Sequence, residues 1–193
     1  MTRPPAKRAR DSEATRAAIL DAARQRFATE GYERTTIRAV AGDARIDPAL
    51  VMRYFGNKEK LFAEAAEFDL RLTTFPAGPA SRAGATMLEH FIERWEADDS
   101  FVALVRAAVT TEVAAKKIRA VFSTQILPAV KALSGDETTA SLRAGLVASH
   151  LMGVAIARYV LRLPAVVAMS RAELVSNVGP TLQRYLTGPL ARA

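Results

Sequence analysis

Residues 35–62 read TTIRAVAGDARIDPALVMRYFGNKEKLF. Thr35 or Thr36 can cap a short helix carrying Ile37, Val40 and Ala41. A break follows at Asp43-Ala44-Arg45. Asp47 then caps a second short helix with Pro48 at its first turn, where the missing N–H costs nothing. Gly56-Asn57 stops that helix near Phe55 and starts another at about Lys58. Val40 and Ala41 on the first short helix, and Val51 and Phe55 on the second, can share a core with Phe27 upstream. Pro48, Ala49, Met52 and Arg53 then face outward. Small, apolar and Arg side chains make an unusual solvent face, but they suit the major groove of DNA, where small residues allow close approach and Arg forks onto guanine.

The surroundings agree with that reading. The chain has 193 residues, of which 50% are hydrophobic, enough for a sizeable core, and it has no Cys, which excludes a disulfide framework and thiolate metal sites. No uncharged apolar run of 18 residues and no apolar signal core are found, so no membrane span is expected, and the cytoplasm is the expected location. The net charge is +7. Met1–Phe62 carries 13 Lys/Arg against 8 Asp/Glu, and the rest carries 14 against 12, so the excess lies at the N-terminal end and suggests an anionic partner there.

Helical spacing extends to both sides. Residues 1–10, with Pro4, Pro5, Lys7, Arg8 and Arg10, read as a disordered basic arm. Asp11 or Ser12 caps a helix with Ile19, Leu20, Ala22, Ala23 and Phe27 inward, which ends at Gly31. The helix from Lys58 is expected to run to about Thr74, ahead of the Pro/Gly-rich FPAGPASRAG. Further helices are expected at 82–97, 100–109, 111–133, 136–163 and 170–187, kinked at Pro128 and kinked or broken at Gly179-Pro180, with a capping box at Ser170–Glu173. The fold class is all-α, with about nine helices. The expected organisation is an arm at 1–10, a three-helix helix-turn-helix domain at 11–57, a connecting helix at 58–75, and a helical ligand-binding and dimerisation domain at 76–193.

The pattern I-L-x-A-A-x-x-x-F-x-x-x-G-Y-x-x-T-T-I-R-x-V-A, followed by V-x-R-Y-F-x-N-K-E-x-L-F, resembles the N-terminal domain of the TetR family of bacterial transcriptional regulators. It stands at Ile19-Leu20, Ala22-Ala23, Phe27, Gly31-Tyr32, Thr35–Arg38, Val40-Ala41, Val51, Arg53–Phe55, Asn57–Glu59 and Leu61-Phe62. The resemblance implies an all-helical homodimer. Two reading heads bind a palindromic operator on double-stranded DNA. A small-molecule effector in the C-terminal domain changes their separation through the fourth helix. It also implies that Arg38 reaches base edges and that Thr36, Tyr54 and Lys58 hold phosphates. Arg45 departs from the family, which commonly has Gly in this turn with positive φ. Asp47 stands where Ser is more frequent, and Met52 where Tyr is common.

Candidate DNA-binding residues are therefore Thr36, Arg38, Arg45, Pro48, Ala49, Met52, Arg53, Tyr54 and Lys58. Leu142, Leu146, Ser149, Gly153, Ile156 and Val160 recur at spacings of three and four, a seam for helix packing. With Leu174, Val178, Leu182 and Tyr185 they are the candidate dimer interface; an intramolecular core has the same pattern. Met87, Phe91, Trp95, Phe101, Phe122, Met152 and Tyr159 are candidates for an apolar pocket suited to a hydrophobic or aromatic effector. No cofactor, metal ligand set or catalytic group is identified, and His90 and His150 stand alone. The expected function is a ligand-responsive repressor. The alternative is a helical interaction protein of the same fold whose effector is a protein, or which no longer reads DNA.

Overall fold

The computed structural model describes residues 5–66, 69–72, 79–97 and 100–190, with side chains from residue 11 onward. It is all-α, with no strand among the described residues. The α-helices are α1 (Pro5–Arg34), α2 (Ile37–Ala44), α3 (Pro48–Phe55), α4 (Lys58–Ala65), α5 (Ala83–Ala97), α6 (Ser100–Ala108), α7 (Glu112–Val121), α8 (Leu127–Ser134), α9 (Ala140–Ala155), α10 (Pro164–Val167) and α11 (Arg171–Thr187).

The chain divides into two compact units. One is Met1–Phe68 with Asp99–Ala115, the other Asp69–Asp98 with Lys116–Ala193. The boundary expected from sequence differs: α4 and α6 both belong with the helix-turn-helix, and α6 packs on α1. That contact joins segments far apart in sequence, which periodicity does not register.

In the first unit α1 begins at Pro5, so residues 5–10 continue the helix where a disordered arm was expected; the arm's side chains, Lys7, Arg8 and Arg10, lie outside the described residues. Ser12 consequently lies within the helix and is not its cap. Gly31, at φ 81° and ψ 170°, breaks the helical dihedrals before the final turn, a conformation open to glycine and strained for other residues. Ile19, Ala23, Phe27, Val40, Ala41, Val51, Phe55, Leu61 and Phe62 are buried. Phe27 meets Phe62 edge-on at 4.9 Å, and Tyr32 does so at 5.0 Å, so α1 and α4 close over α2 and α3 through aromatic contacts. The α4 helix ends at Ala65 and Asp69–Arg71 are non-helical, which shortens the connecting helix expected to reach Thr74.

In the second unit α5 and α11 pack most extensively. Their crossing is at backbone distance: a Cβ on Gly84 would lie 2.4 Å from both the Gly179 carbonyl oxygen and the Gln183 amide nitrogen. Gln183 also accepts from the Gly84 amide at 2.9 Å, satisfying a donor at the start of α5 that the helix itself leaves free, and donates to the Ala80 carbonyl at 2.8 Å. Pro180 lies inside α11, which stays continuous, so of the kink or break expected there the break does not occur. The capping box at Ser170 is present, each partner accepting from the other's amide.

Pro128 acts as a widened turn. Residues Phe122–Ile126 are π-helical, and the Leu127 amide reaches back to the Phe122 carbonyl. The shift to the longer hydrogen bond makes room for a ring that would clash with the carbonyl four residues back. A second π turn, Ile156–Val160, follows α9, and the short α10 was not expected from sequence. Arg143 joins α9 to the end of α11, donating to the Tyr185 and Gly188 carbonyls at 2.9 and 3.0 Å. A cation suits that helix terminus.

Candidate nucleic-acid interface

Three consecutive short helices each start with a side-chain cap. The Thr36 hydroxyl accepts from the Ala39 amide at 3.1 Å, Asp47 from the Ala49 amide at 2.7 Å, and Asn57 from the Lys60 amide at 2.8 Å. The remaining free amides at those N-termini are suited to phosphate oxygens. The turn between α2 and α3 is closed by Arg45 in the left-handed region, φ 55° and ψ 43°. The Arg45 amide bonds to the Gly42 carbonyl at 3.1 Å and the Ile46 amide to the Ala41 carbonyl at 2.9 Å, a Schellman closure. The turn thus has the left-handed geometry expected of a glycine position, with a cationic side chain added to it.

On α3, Val51 and Phe55 are buried while Pro48, Ala49, Met52 and Arg53 are exposed, so the helix divides between core and free face as its spacing indicates. Arg38 on α2 is exposed as well. Arg38, Arg45 and Arg53 have no carboxylate partner among the described residues. Arg26, by contrast, is fully engaged: it donates twice to Asp43, once at 2.9 Å, and to Glu30 at 2.6 Å. The Arg26 hydrogen bonds hold the Asp43 carboxyl below its ordinary range, and the same pairing raises Arg26. The pairing joins the end of α2 to α1.

Tyr54 and Lys58 are held from within the protein. The Tyr54 hydroxyl shares a 2.8 Å hydrogen bond with Ser12 of α1. Lys58 donates to the Glu33 carbonyl at 3.0 Å, with its ammonium 4.4 Å from the centre of the Tyr32 ring. Sequence spacing missed Ser12 as a partner of Tyr54, since the two are 42 residues apart.

The other candidate groups fall differently. Trp95 stacks on Tyr159 with ring centroids 5.6 Å apart and meets Phe91 at a tilt at 5.0 Å, but Met87, Phe91 and Trp95 are buried in the core of the second unit. Phe101 belongs to the first unit, and Phe122, Met152 and Tyr159 are half-buried. Burial, helped by the Tyr159 hydroxyl's 3.0 Å hydrogen bond to Glu96, pushes the phenol up to about 12. The open cleft, of about 1000 Å³, lies instead between α5 and α11, with Glu89, Glu93, Arg171 and Val175 on its walls. None of the seven aromatic and Met candidates lines it.

Of the candidate dimer residues, Leu174 and Leu182 are buried within the chain itself, a correction that follows from the close seating of α11 on α5. Leu142 and Gly153 are exposed, and Leu146, Ile156, Val160, Val178 and Tyr185 are half-buried. Ser149 is exposed, its hydroxyl turned back to the Leu146 carbonyl at 2.9 Å. The inward face of α9 is made of Ala140, Ala144, Val147, Leu151 and Ala155. The run Ala140–Val160 is long and apolar enough to cross a membrane by length and composition, with only 28% of its most apolar window buried.

Comparison with known proteins places this geometry. The model of bacterial regulatory proteins of the tetR family matches residues 19–65, and the model of the tetracyclin repressor-like C-terminal domain matches residues 81–186. The chain belongs to the TetR family. A curated relative, the HTH-type transcriptional repressor SCO4008 of Streptomyces coelicolor, is 44% identical over 59 residues. That match spans 31% of this chain and 31% of the relative. Among solved structures, the TetR-family regulator SCO0857 of Streptomyces coelicolor is 25% identical with a TM-score of 0.57, over 96% of this chain and 98% of that one. NalD of Pseudomonas aeruginosa, described as the secondary repressor of the MexAB-OprM multidrug efflux pump, has a TM-score of 0.69 at 19% identity, covering 92% and 98% of the two chains. A TetR-family regulator from Rhodococcus has a TM-score of 0.67 at 18% identity, over 90% and 98%. The last two likenesses concern the fold.

Proposed function

We propose that this TetR-family chain is a transcriptional repressor that binds a near-palindromic operator as a homodimer. Each copy sets α3 in the major groove of one half-site. The observation that carries the reading is the set of three guanidiniums without a carboxylate partner among the described residues, Arg38, Arg45 and Arg53, on the helices whose N-termini Thr36 and Asp47 cap and in the turn between them. Arg38 and Arg53 are assigned to base edges, and Arg45, Thr36, Tyr54 and Lys58 to phosphates. The internal bonds of Tyr54 and Lys58 hold their polar ends in place before DNA arrives, which lowers the entropy lost on binding. Asp47 opposes the phosphates and moderates affinity. The repressor relative in Streptomyces coelicolor, alike over 59 residues, supports the same role.

The partner copy is assigned to the outer face of α9, where Leu142, Leu146, Gly153, Ile156 and Val160 leave apolar surface next to small residues. Covering it accounts for a long apolar helix that is mostly uncovered in one chain. Two heads then stand about one DNA turn, roughly 34–36 Å, or a multiple of it apart. The effector is a small, largely apolar molecule bound by the second unit, and a ligand that favours another head spacing weakens DNA by the factor that DNA weakens it. Asp69 and Leu70, which follow α4 in the chain, belong to that unit and are held within it. Arg94 donates to the Asp69 carbonyl at 3.1 and 2.9 Å, and the Leu70 amide donates to Gln125 at 2.7 Å. This grip is the proposed handle by which the second unit acts on α4.

The test is selection of bound duplexes from random DNA by the purified protein at physiological salt. A palindrome is expected. The Arg38→Ala/Arg53→Ala protein, with unchanged circular dichroism, should bind it at least about 30-fold more weakly, the loss of two side-chain contacts to base edges. Equal binding by that protein overturns the assignment.

A further inference from the structure

The free face of α3 carries only one charged side chain beyond its cap. Pro48, Ala49 and Met52 make up the rest of the exposed set with Arg53, and Met52 is 45% exposed, the one large apolar side chain of α1–α4 left that open among the described residues. Ala49 and Met52 are three apart and therefore adjacent on the helix surface. The carboxylate of Asp47, which opens the helix, is turned onto the Ala49 amide. A thioether has no donor and is a weak acceptor, so Met52 does not read the hydrogen-bonding edge of a base. The major groove displays one apolar group, the 5-methyl of thymine. Met is also flexible and polarizable, and it adapts its shape to a small apolar partner.

We propose that Met52, supported by Ala49, is a specificity-determining residue that reads the 5-methyl group of a thymine in each operator half-site, while Arg53 beside it takes a guanine. The assignment rests on the operator reading above and adds which base the apolar part of the helix selects. It gives the exposed Met a role that solvent does not, since hydration of an open apolar side chain brings no stability.

The test uses the duplex enriched in the selection, remade with uracil in place of each thymine in turn. Uracil keeps every hydrogen-bonding group and lacks only the methyl. For the wild-type dimer, one position per half-site should lose about three- to tenfold in affinity, the effect of one buried methyl contact. Met52→Ala should bind without distinguishing thymine from uracil at that position, and Met52→Leu should recover the distinction. Met52 lies outside the core, so circular dichroism of both variants should match the wild type. Indifference of the wild type to uracil at every position overturns the assignment, as does undiminished discrimination by Met52→Ala. Failure to enrich any duplex overturns the operator reading and this one with it. Enrichment with no methyl-sensitive position overturns this one alone.

Discussion

Replacing Arg45 by Gly should make the protein more stable and a poorer DNA binder. Arg45 sits at φ 55° and ψ 43°, where the Cβ of an L-residue crowds the following carbonyl oxygen. That crowding costs about 1–2 kcal/mol. Glycine avoids it but loses more backbone entropy on folding, about 0.5–1 kcal/mol. The net gain is about 0.5–1 kcal/mol, and the closing bonds from the Arg45 and Ile46 amides are backbone bonds that the variant keeps. With a urea slope of about 2 kcal/mol per molar, the midpoint should rise by about 0.3–0.5 M. The probe has to report the first unit. The single Trp, Trp95, lies in the second, so amide exchange at Val40 and Val51 is the appropriate measurement. If Arg45 holds a phosphate in each half-site, the slope of log affinity against log salt should become shallower by about 0.9 per lost contact. A variant no more stable than the parent refutes stored strain at this turn. A stabilised variant with unchanged affinity and salt slope removes Arg45 from the interface.

Gly84→Ala should destabilise the second unit by about 1–3 kcal/mol in urea unfolding followed by Trp95 fluorescence, because the new methyl meets main chain at 2.4 Å. Gly179→Ala, whose methyl would lie 3.3 Å from the Ala85 Cα, should be close to neutral, since a better helix former offsets a tight contact; the opposite ranking would refute the described crossing. Hydrogen bonds from the Thr138 and Thr139 hydroxyls and the Thr138 amide hold the Asp136 carboxyl down to about 2, below its ordinary 3.8. A depressed carboxylate stabilises the folded state above its unfolded value and loses that contribution as pH falls. The stability difference between wild type and Asp136→Ala should therefore be level above pH 3.8 and shrink toward pH 2, and a difference independent of pH would refute the hydrogen-bonded carboxylate.

The reading head was legible in the sequence because its punctuation is local. Thr36, Asp47 and Asn57 cap helices within three residues of themselves, and Gly31 and Gly56 sit where φ is positive. Such signals depend on near neighbours alone. Arg45 shows that the turn geometry survives the loss of its usual glycine, so backbone closure, and not residue type, sets the helix-turn-helix angle. The second unit was less legible because its decisive contacts join distant segments. Periodicity marked Leu174 and Leu182 as a stripe without saying what covers it, and Gly84 at the crossing with Gly179 turned that stripe toward its own chain. The same periodicity on α9 marked Leu142, Leu146 and Gly153, of which Leu142 and Gly153 stay exposed and Leu146 is only half-buried. An apolar stripe states only that something packs there. A glycine that lets two backbones touch is what distinguishes an internal seam from one left for a partner. The aromatic set does not line the open cleft, for the same reason: residue type finds apolar volume, and the helix crossings decide whether that volume is filled.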